Sequence, residues 1–165
     1  MRIHIATDHA GLEISRYLIA SLTDEGFEMV DHGPQDYDPQ DDYPSFCINA
    51  ALAVRADREG GQDSLGIVLG GSGNGEQMAA NKVHGIRAAL AWNAETAALA
   101  REHNNAQVVA VGGRQHTREE ALEIIRVFLT TDFSGEERHV RRIGQMEEFE
   151  ATGRIHGHRL GAEAS

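Results

Sequence analysis

Short apolar runs rich in Val, Ile, Leu and Ala recur along the chain, separated by longer stretches in which apolar residues return every three to four positions. The runs Ile3–Thr7, Phe27–Asp31, Leu65–Leu69, Arg87–Ala91 and Val108–Val111 predict five strands. Most lack strict alternation of apolar and polar residues, as expected of strands covered by helices on both faces. Leu12, Tyr17, Ile19 and Leu22 mark a first helix that stops at Gly26, a glycine placed to cap its C-terminus. Further helices are predicted over Pro44–Arg58, Gly75–Lys82 and Ala94–His103. A fifth spans Thr117–Leu129 and opens with the capping-box pattern Thr117-Arg118-Glu119-Glu120; a sixth runs from Gly135 to Phe149. Strands alternating with helices predict one doubly wound α/β domain over residues 1–150, built on a parallel sheet.

Two segments stand outside that pattern. Gly33–Tyr43, with two prolines and four aspartates, is the one long loop, and loops of that length are often functional. Residues 151–165 have no apolar period from Gly153 onward and read as a mobile C-terminal tail.

Charge and cysteine usage narrow the function classes. The 165 residues carry 15 basic and 26 acidic side chains, a formal net charge of -11, which disfavours binding to nucleic acid or an anionic membrane. Lys82 is the only lysine. Cys47 is the only cysteine, so no internal disulfide forms, and its place beside Phe46 and Ile48 in a predicted helix suggests a buried thiol. The N-terminus enters the first strand without a signal-peptide core, and no apolar run approaches the ~20 residues of a membrane span. A cytoplasmic location is expected.

In open α/β sheets ligands bind beyond the carboxyl ends of the strands, which directs attention to Asp8-His9, Gly70–Glu76, Trp92-Asn93 and Gly112-Gly113-Arg114. The stretch Gly70-Gly71-Ser72-Gly73-Asn74-Gly75-Glu76 is the sharpest local signal. A glycine-rich turn entering a helix aims successive backbone N–H groups into one concavity that suits an anion or a developing oxyanion. The dinucleotide fingerprint G-x-G-x-x-G fails on spacing, and the Walker pattern fails because Glu76 stands where its lysine belongs. What remains is a nest for a small anionic centre with a potential base on its rim.

Each of these residues also has a plainer role. Glu76 in a first helical turn is favoured by the macrodipole alone. Asp8 could cap the first helix or form an acid/base pair with His9. His103, at a helix C-terminus, interacts well with the dipole. Arg138 and Arg142 lie four apart on one helix face, suiting either a phosphate or ion pairs with Glu136, Glu137, Glu147 and Glu148. The pattern His-Glu-x-x-His is absent, and scattered histidines give no metal-ligand constellation; His156-Gly157-His158 offers only an adventitious one.

Six motifs in order resemble the type B ribose-5-phosphate isomerases, in a family that includes galactose-6-phosphate isomerase subunits. They are Ile-Ala-Thr-Asp8-His9-Ala-Gly, Asp-Asp-Tyr43-Pro, the Gly70–Glu76 turn, Arg101-Glu-His103-Asn104-Asn-Ala, Gly-Gly-Arg114 and Arg138-His-x-x-Arg142. The resemblance implies a Rossmann-like five-stranded fold, a homodimer or dimer of dimers with shared active sites, and no metal or organic cofactor. It further implies interconversion of ribose 5-phosphate and ribulose 5-phosphate through a cis-enediolate.

Many members carry a cysteine base at the end of the third strand. This sequence has Gly70 there and is similar to an actinobacterial branch with a glutamate base, at the place of Glu76. By resemblance, Ser72 moves protons between O1 and O2, and His103 opens the sugar ring, with Asp8 as alternative or partner. Arg114, Arg138, Arg142 and His9 would hold the phosphate, the Arg138/Arg142 pair coming from the neighbouring subunit. Tyr43 and Asn104 would line the sugar site, while Gly71, Gly73, Asn74 and Gly75 would form the oxyanion nest. Isomerisation of another sugar phosphate, or a non-catalytic phosphate- or nucleotide-binding module, fits the same loop and arginines.

Overall fold

A computed structural model describes residues 1–157; residues 158–165 of the expected tail lie outside the described residues. The element order is β1 (Arg2–Thr7), α1 (Leu12–Asp24), β2 (Glu28–Asp31), α2 (Tyr43–Glu59), β3 (Ser64–Gly70) and α3 (Asn74–Ala80). It continues with β4 (Ala88–Leu90), α4 (Ala94–Glu102), β5 (Val108–Gly112), α5 (Arg118–Thr130) and α6 (Glu137–Thr152). The five strands form one parallel sheet in the order β2-β1-β3-β5-β4.

Local signals account for the element ends. Gly26 adopts φ +91°, and the Phe27 N–H returns to the Leu22 carbonyl at 3.0 Å, so the glycine closes α1 as its position predicts. Thr117 and Glu120 exchange the two hydrogen bonds of a capping box at the start of α5. Strand β4 is one residue shorter at each end than expected; the Ala91 N–H still bonds the Ala110 carbonyl at 3.0 Å, and beyond it the Trp92 N–H turns to the Thr96 hydroxyl at 2.9 Å, inside the cap of α4.

The strands alternate after all, between two apolar faces. Ile3, Ile5, Leu65, Ile67, Leu69, Val109 and Val111 pack with α1, α4 and α5. Ala6, Val68, Val108 and Ala110 meet α2 and α3 on the other face, with smaller side chains. Burial on both sides of the sheet removes the polar half of the period-two pattern.

Two consequences position the site. After β1 the chain adds β2 on one side and β3 on the other, opening a crevice at the carboxyl ends of β1 and β3. Helix α6 docks at the opposite edge: the Gly85 N–H donates to Glu150 Oε2 at 2.8 Å, and Arg87 pairs with Glu147 at 3.0 Å. Among the described residues no helix is long and apolar enough to cross a membrane.

Candidate active site

At the switch point, Asp8, His9 and Ala10 after β1 face Gly71, Ser72, Gly75 and Glu76 after β3 across an open cleft of about 540 Å³, with Tyr43, Arg114 and Gln115 completing its wall. Asp8 is buried, and its Oδ1 accepts the Ala10 N–H at 2.9 Å. It therefore closes a local turn and does not cap α1, whose N-cap residue is Gly11.

The glycine turn is arranged around Glu76. Gly73 sits at φ +81°, where a side chain is strained, and a Cβ there would also lie 2.7 Å from Leu90 Cδ1. That bend starts α3 and returns Glu76 over the end of β3. A Cβ on Gly70 would lie 1.7 Å from Glu76 Oε1 and 2.2 Å from its carboxyl carbon. The carboxyl thus fills the space a side chain at position 70 would need.

Glu76 is only 4% exposed. Burial pushes its carboxyl above the ordinary range, and the nearby Asp8 adds to this, while its own N–H and that of Gly73 hold it back. The expected nest therefore spends part of its donor set on the Glu76 carboxyl, which lies inside the turn and not on its rim.

The neighbouring polar groups are oriented. Ser72 Oγ accepts from the Asn74 side-chain amide at 3.2 Å and its backbone N–H at 3.3 Å, leaving the hydroxyl proton to donate elsewhere. Asn74 and Gly73 shape the turn without lining the cleft. Tyr43, the first residue of α2, lays its hydroxyl against Gly75, where a Cβ would meet it at 2.5 Å. The Gly113 N–H bonds the Gly70 carbonyl at 2.7 Å and the Arg114 N–H bonds that of Gly71 at 3.1 Å, which brings the Arg114 guanidinium beside Gly71. Cys47 is fully buried behind the site, its thiol pushed up to about 12 by burial and by Glu76 and Asp8, which removes it as a nucleophile.

A buried carboxyl, an oriented hydroxyl and an arginine gathered at one switch point are equipment that could move a proton on a small anionic substrate. Comparison with known proteins gives the same direction. The family model described as Ribose/Galactose Isomerase matches residues 3–146. The chain belongs to the ribose/galactose isomerase family.

It is 56% identical to ribose-5-phosphate isomerase B of Mycolicibacterium paratuberculosis, over 92% of this chain and 93% of that one. Against the enzyme of that name in Mycobacterium tuberculosis it is 55% identical, over 92% and 91%. Among solved structures, ribose-5-phosphate isomerase B from Mycoplasma genitalium with bound ribulose-5-phosphate superposes with TM-score 0.84 at 40% identity, covering 92% of this chain and 97% of that one. The type B enzyme of Trypanosoma cruzi gives 0.85 at 42%, covering 92% and 99%.

The ribose/galactose isomerase fold of this chain does not gather all of the expected site in one place. His103 and Asn104, expected to open the ring and line the sugar site, are absent from the cleft. Helix α4 leaves the carboxyl end of β4 and runs back against the strands, so its last residues lie at the amino edge of the sheet. There the Asn104 carbonyl accepts from Arg87 Nε at 3.0 Å, just before β4. His103 stacks on the buried His139 of α6 with ring centroids 4.3 Å apart, and His139 Nδ1 is 2.7 Å from Ser134 Oγ.

Arg138 and Arg142, on α6, belong to the same edge and do not line the cleft. Arg138 pairs with Glu136 at 2.8 Å on the surface, so the ion-pair reading also holds for it.

Two features escaped the sequence reading. Gln115 lines the wall of the cleft. Asp41, from the long loop, holds His9 Nδ1 at 2.6 Å and the His9 N–H at 3.1 Å, a pairing across 32 positions without local signal. Among the described residues, Asp8, His9 and Asp41 place three ligand-type atoms within 4.8 Å of one another, a group that could hold a metal.

Proposed function

We propose that the protein is an aldose–ketose isomerase that interconverts ribose 5-phosphate and ribulose 5-phosphate, with Glu76 as the base. The observation that carries this is the seating of the Glu76 carboxyl in the space over Gly70. The resemblance places a cysteine base at position 70 in other members; here the Glu76 carboxyl, carried on α3, takes the volume a side chain at that position would need. Either residue can occupy that volume, and both cannot.

The chemistry follows from the geometry. Glu76 removes the C2 proton of the open-chain aldose, the C–H electron pair becomes the C1–C2 π bond and the C1 carbonyl pair moves onto O1, leaving a cis-enediolate; the carboxylic acid formed then returns the proton to C1 while an O2 pair forms the C2 carbonyl. A carboxyl already raised by burial is suited to both halves of this exchange. Ser72, its oxygen held by Asn74, shuttles the hydroxyl proton between O2 and O1. The free N–H groups of the Gly71–Gly75 turn stabilise the enediolate oxygen. Asp8, beside Glu76, is the ring-opening group available within one subunit.

The remainder of the site comes from a second subunit. His103, Asn104, Arg138 and Arg142 form a polar cluster at the sheet edge, and next to it Met146 and Phe149 stay 46% and 51% exposed on α6. An isologous dimer covering that helix would bring each cluster to the other subunit's cleft, where Arg138 and Arg142 join Arg114 and His9 on the phosphate. The location follows from the reading as cytoplasmic.

Incubation with ribose 5-phosphate should yield ribulose 5-phosphate, and Glu76→Gln should lower turnover by about 10²–10⁴-fold. Mixing Glu76→Gln with Arg138→Ala/Arg142→Ala subunits should restore activity by forming one intact site per heterodimer. Heterodimers as inactive as their parents would sink the shared-site arrangement.

A further inference from the structure

Asp41 is an acid that holds the cleft residue His9 from behind, and the mechanism above leaves it without a role. Its side chain is 9% exposed, and Oδ1 accepts two hydrogen bonds from one residue: the His9 N–H at 3.1 Å and His9 Nδ1 at 2.6 Å. Oδ2 is buried with no hydrogen-bond partner. Burying a carboxylate oxygen unpaired is unfavourable, and a loop of this length had every freedom to leave the acid in water. Instead a turn locks it: the Asp41 N–H returns to the Asp38 carbonyl at 3.2 Å, while Asp38 Oδ1 accepts the Gln40 N–H at 2.9 Å. Tyr37 from the same loop meets the His9 ring edge-on at 5.9 Å.

A carboxylate only accepts hydrogen bonds, so its contact puts a proton on His9 Nδ1 and leaves Nε2 as the ring nitrogen for a ligand in the cleft. An ionised phosphate oxygen also only accepts, so meeting it requires a proton on Nε2 too. We propose that Asp41 is a positioning residue that acts through His9, fixing the ring so that His9 and Arg114 together receive the substrate phosphate. The proposal rests on the sugar-phosphate isomerase reading. It gives the long loop a function: closing one wall of the phosphate subsite from behind.

The test is a double-mutant cycle in kcat and KM on ribose 5-phosphate, with Asp41→Ala, Asp41→Asn, His9→Ala and the His9→Ala/Asp41→Ala pair. Loss of a charge-assisted hydrogen bond predicts a KM raised about 10-fold or more in Asp41→Ala with kcat within about threefold. Asp41→Asn keeps an oxygen for the Nδ1–H and should recover part of the loss. In the His9→Ala background Asp41→Ala should change KM by less than about twofold, because the group it acts through is gone. An equal loss in both backgrounds, or a fall in kcat at unchanged KM, overturns the proposal. Should Asp41→Ala fail to fold, Asp41→Asn carries the same cycle.

Absence of turnover by the wild-type protein would overturn the isomerase reading instead. The dyad is then read by ¹⁵N NMR of His9 during titration with inorganic phosphate. The proposal expects a protonated Nδ1 in the free protein and a phosphate-dependent change at Nε2 that Asp41→Ala weakens. An unprotonated Nδ1, or a phosphate response indifferent to Asp41, overturns it.

Discussion

Gly70→Ala adds one methyl group at the point where the proposed base rests. The new Cβ would lie 1.7 Å from Glu76 Oε1, 2.2 Å from the carboxyl carbon and 2.9 Å from Cγ. To reach even a 3.0 Å contact, Oε1 must retreat by about 1.3 Å, because close-packed atoms do not interpenetrate. Gly70 lies in strand backbone that alanine adopts freely, and the clash is with the end of a flexible side chain facing an open cleft. The carboxylate therefore swings away, and the cost in stability stays within about 1–2 kcal/mol.

Rate is another matter. A catalytic group misplaced by about 1 Å loses on the order of 10²-fold, equivalent to about 2.7 kcal/mol of transition-state stabilisation. The assay is ribulose 5-phosphate formation followed by ketose absorbance, with thermal melting as the folding control. Gly70→Ala should fall in kcat/KM by about 10²-fold at nearly unchanged melting temperature. Gly70→Ala/Glu76→Gln should be no worse than Glu76→Gln, since both act on one group. A Gly70→Ala enzyme within a few-fold of wild type would show that the carboxyl's seat over Gly70 has no part in proton transfer.

Other measurements probe the electrostatics. Because burial first, and Asp8 after it, raise the Glu76 carboxyl, the acid limb of kcat/KM should lie above the ordinary glutamate range; Asp8→Asn removes a raising charge and should move that limb to lower pH, whereas a limb that stays or rises contradicts the coupling. Away from the cleft, a hydrogen bond from His4, and after it the Arg2 guanidinium, hold the Asp57 carboxyl below its ordinary value. A depressed acid stabilises the fold above its unfolded pKa and loses that contribution as pH falls through the folded one, so the wild-type advantage over Asp57→Asn should be full at neutral pH and close below about pH 4. A gap independent of pH would count against it. Dialysis against a strong chelator should leave isomerisation unchanged; a loss restored by one divalent ion would make Asp8, His9 and Asp41 a metal site.

What the sequence by itself determined is what neighbours along the chain determine. Apolar runs located all five strands, Gly26 announced a left-handed closure of α1, and Thr117 with Glu120 announced a capping box, because each signal is complete within a few residues. The Gly70–Glu76 turn was legible as an anion-shaped bend for the same reason. Tertiary structure decided where the pieces meet. That Glu76 lies over Gly70 and inside the turn depends on how α3 returns across the end of β3. That His103 and Arg138 face away from the cleft depends on the direction in which α4 and α6 cross the sheet. Asp41 found His9 only because an eleven-residue loop folded back across β1. Local periodicity records which face of an element is buried, but convergence of distant side chains is set by crossovers and loop closure, and these leave no repeating mark on the chain.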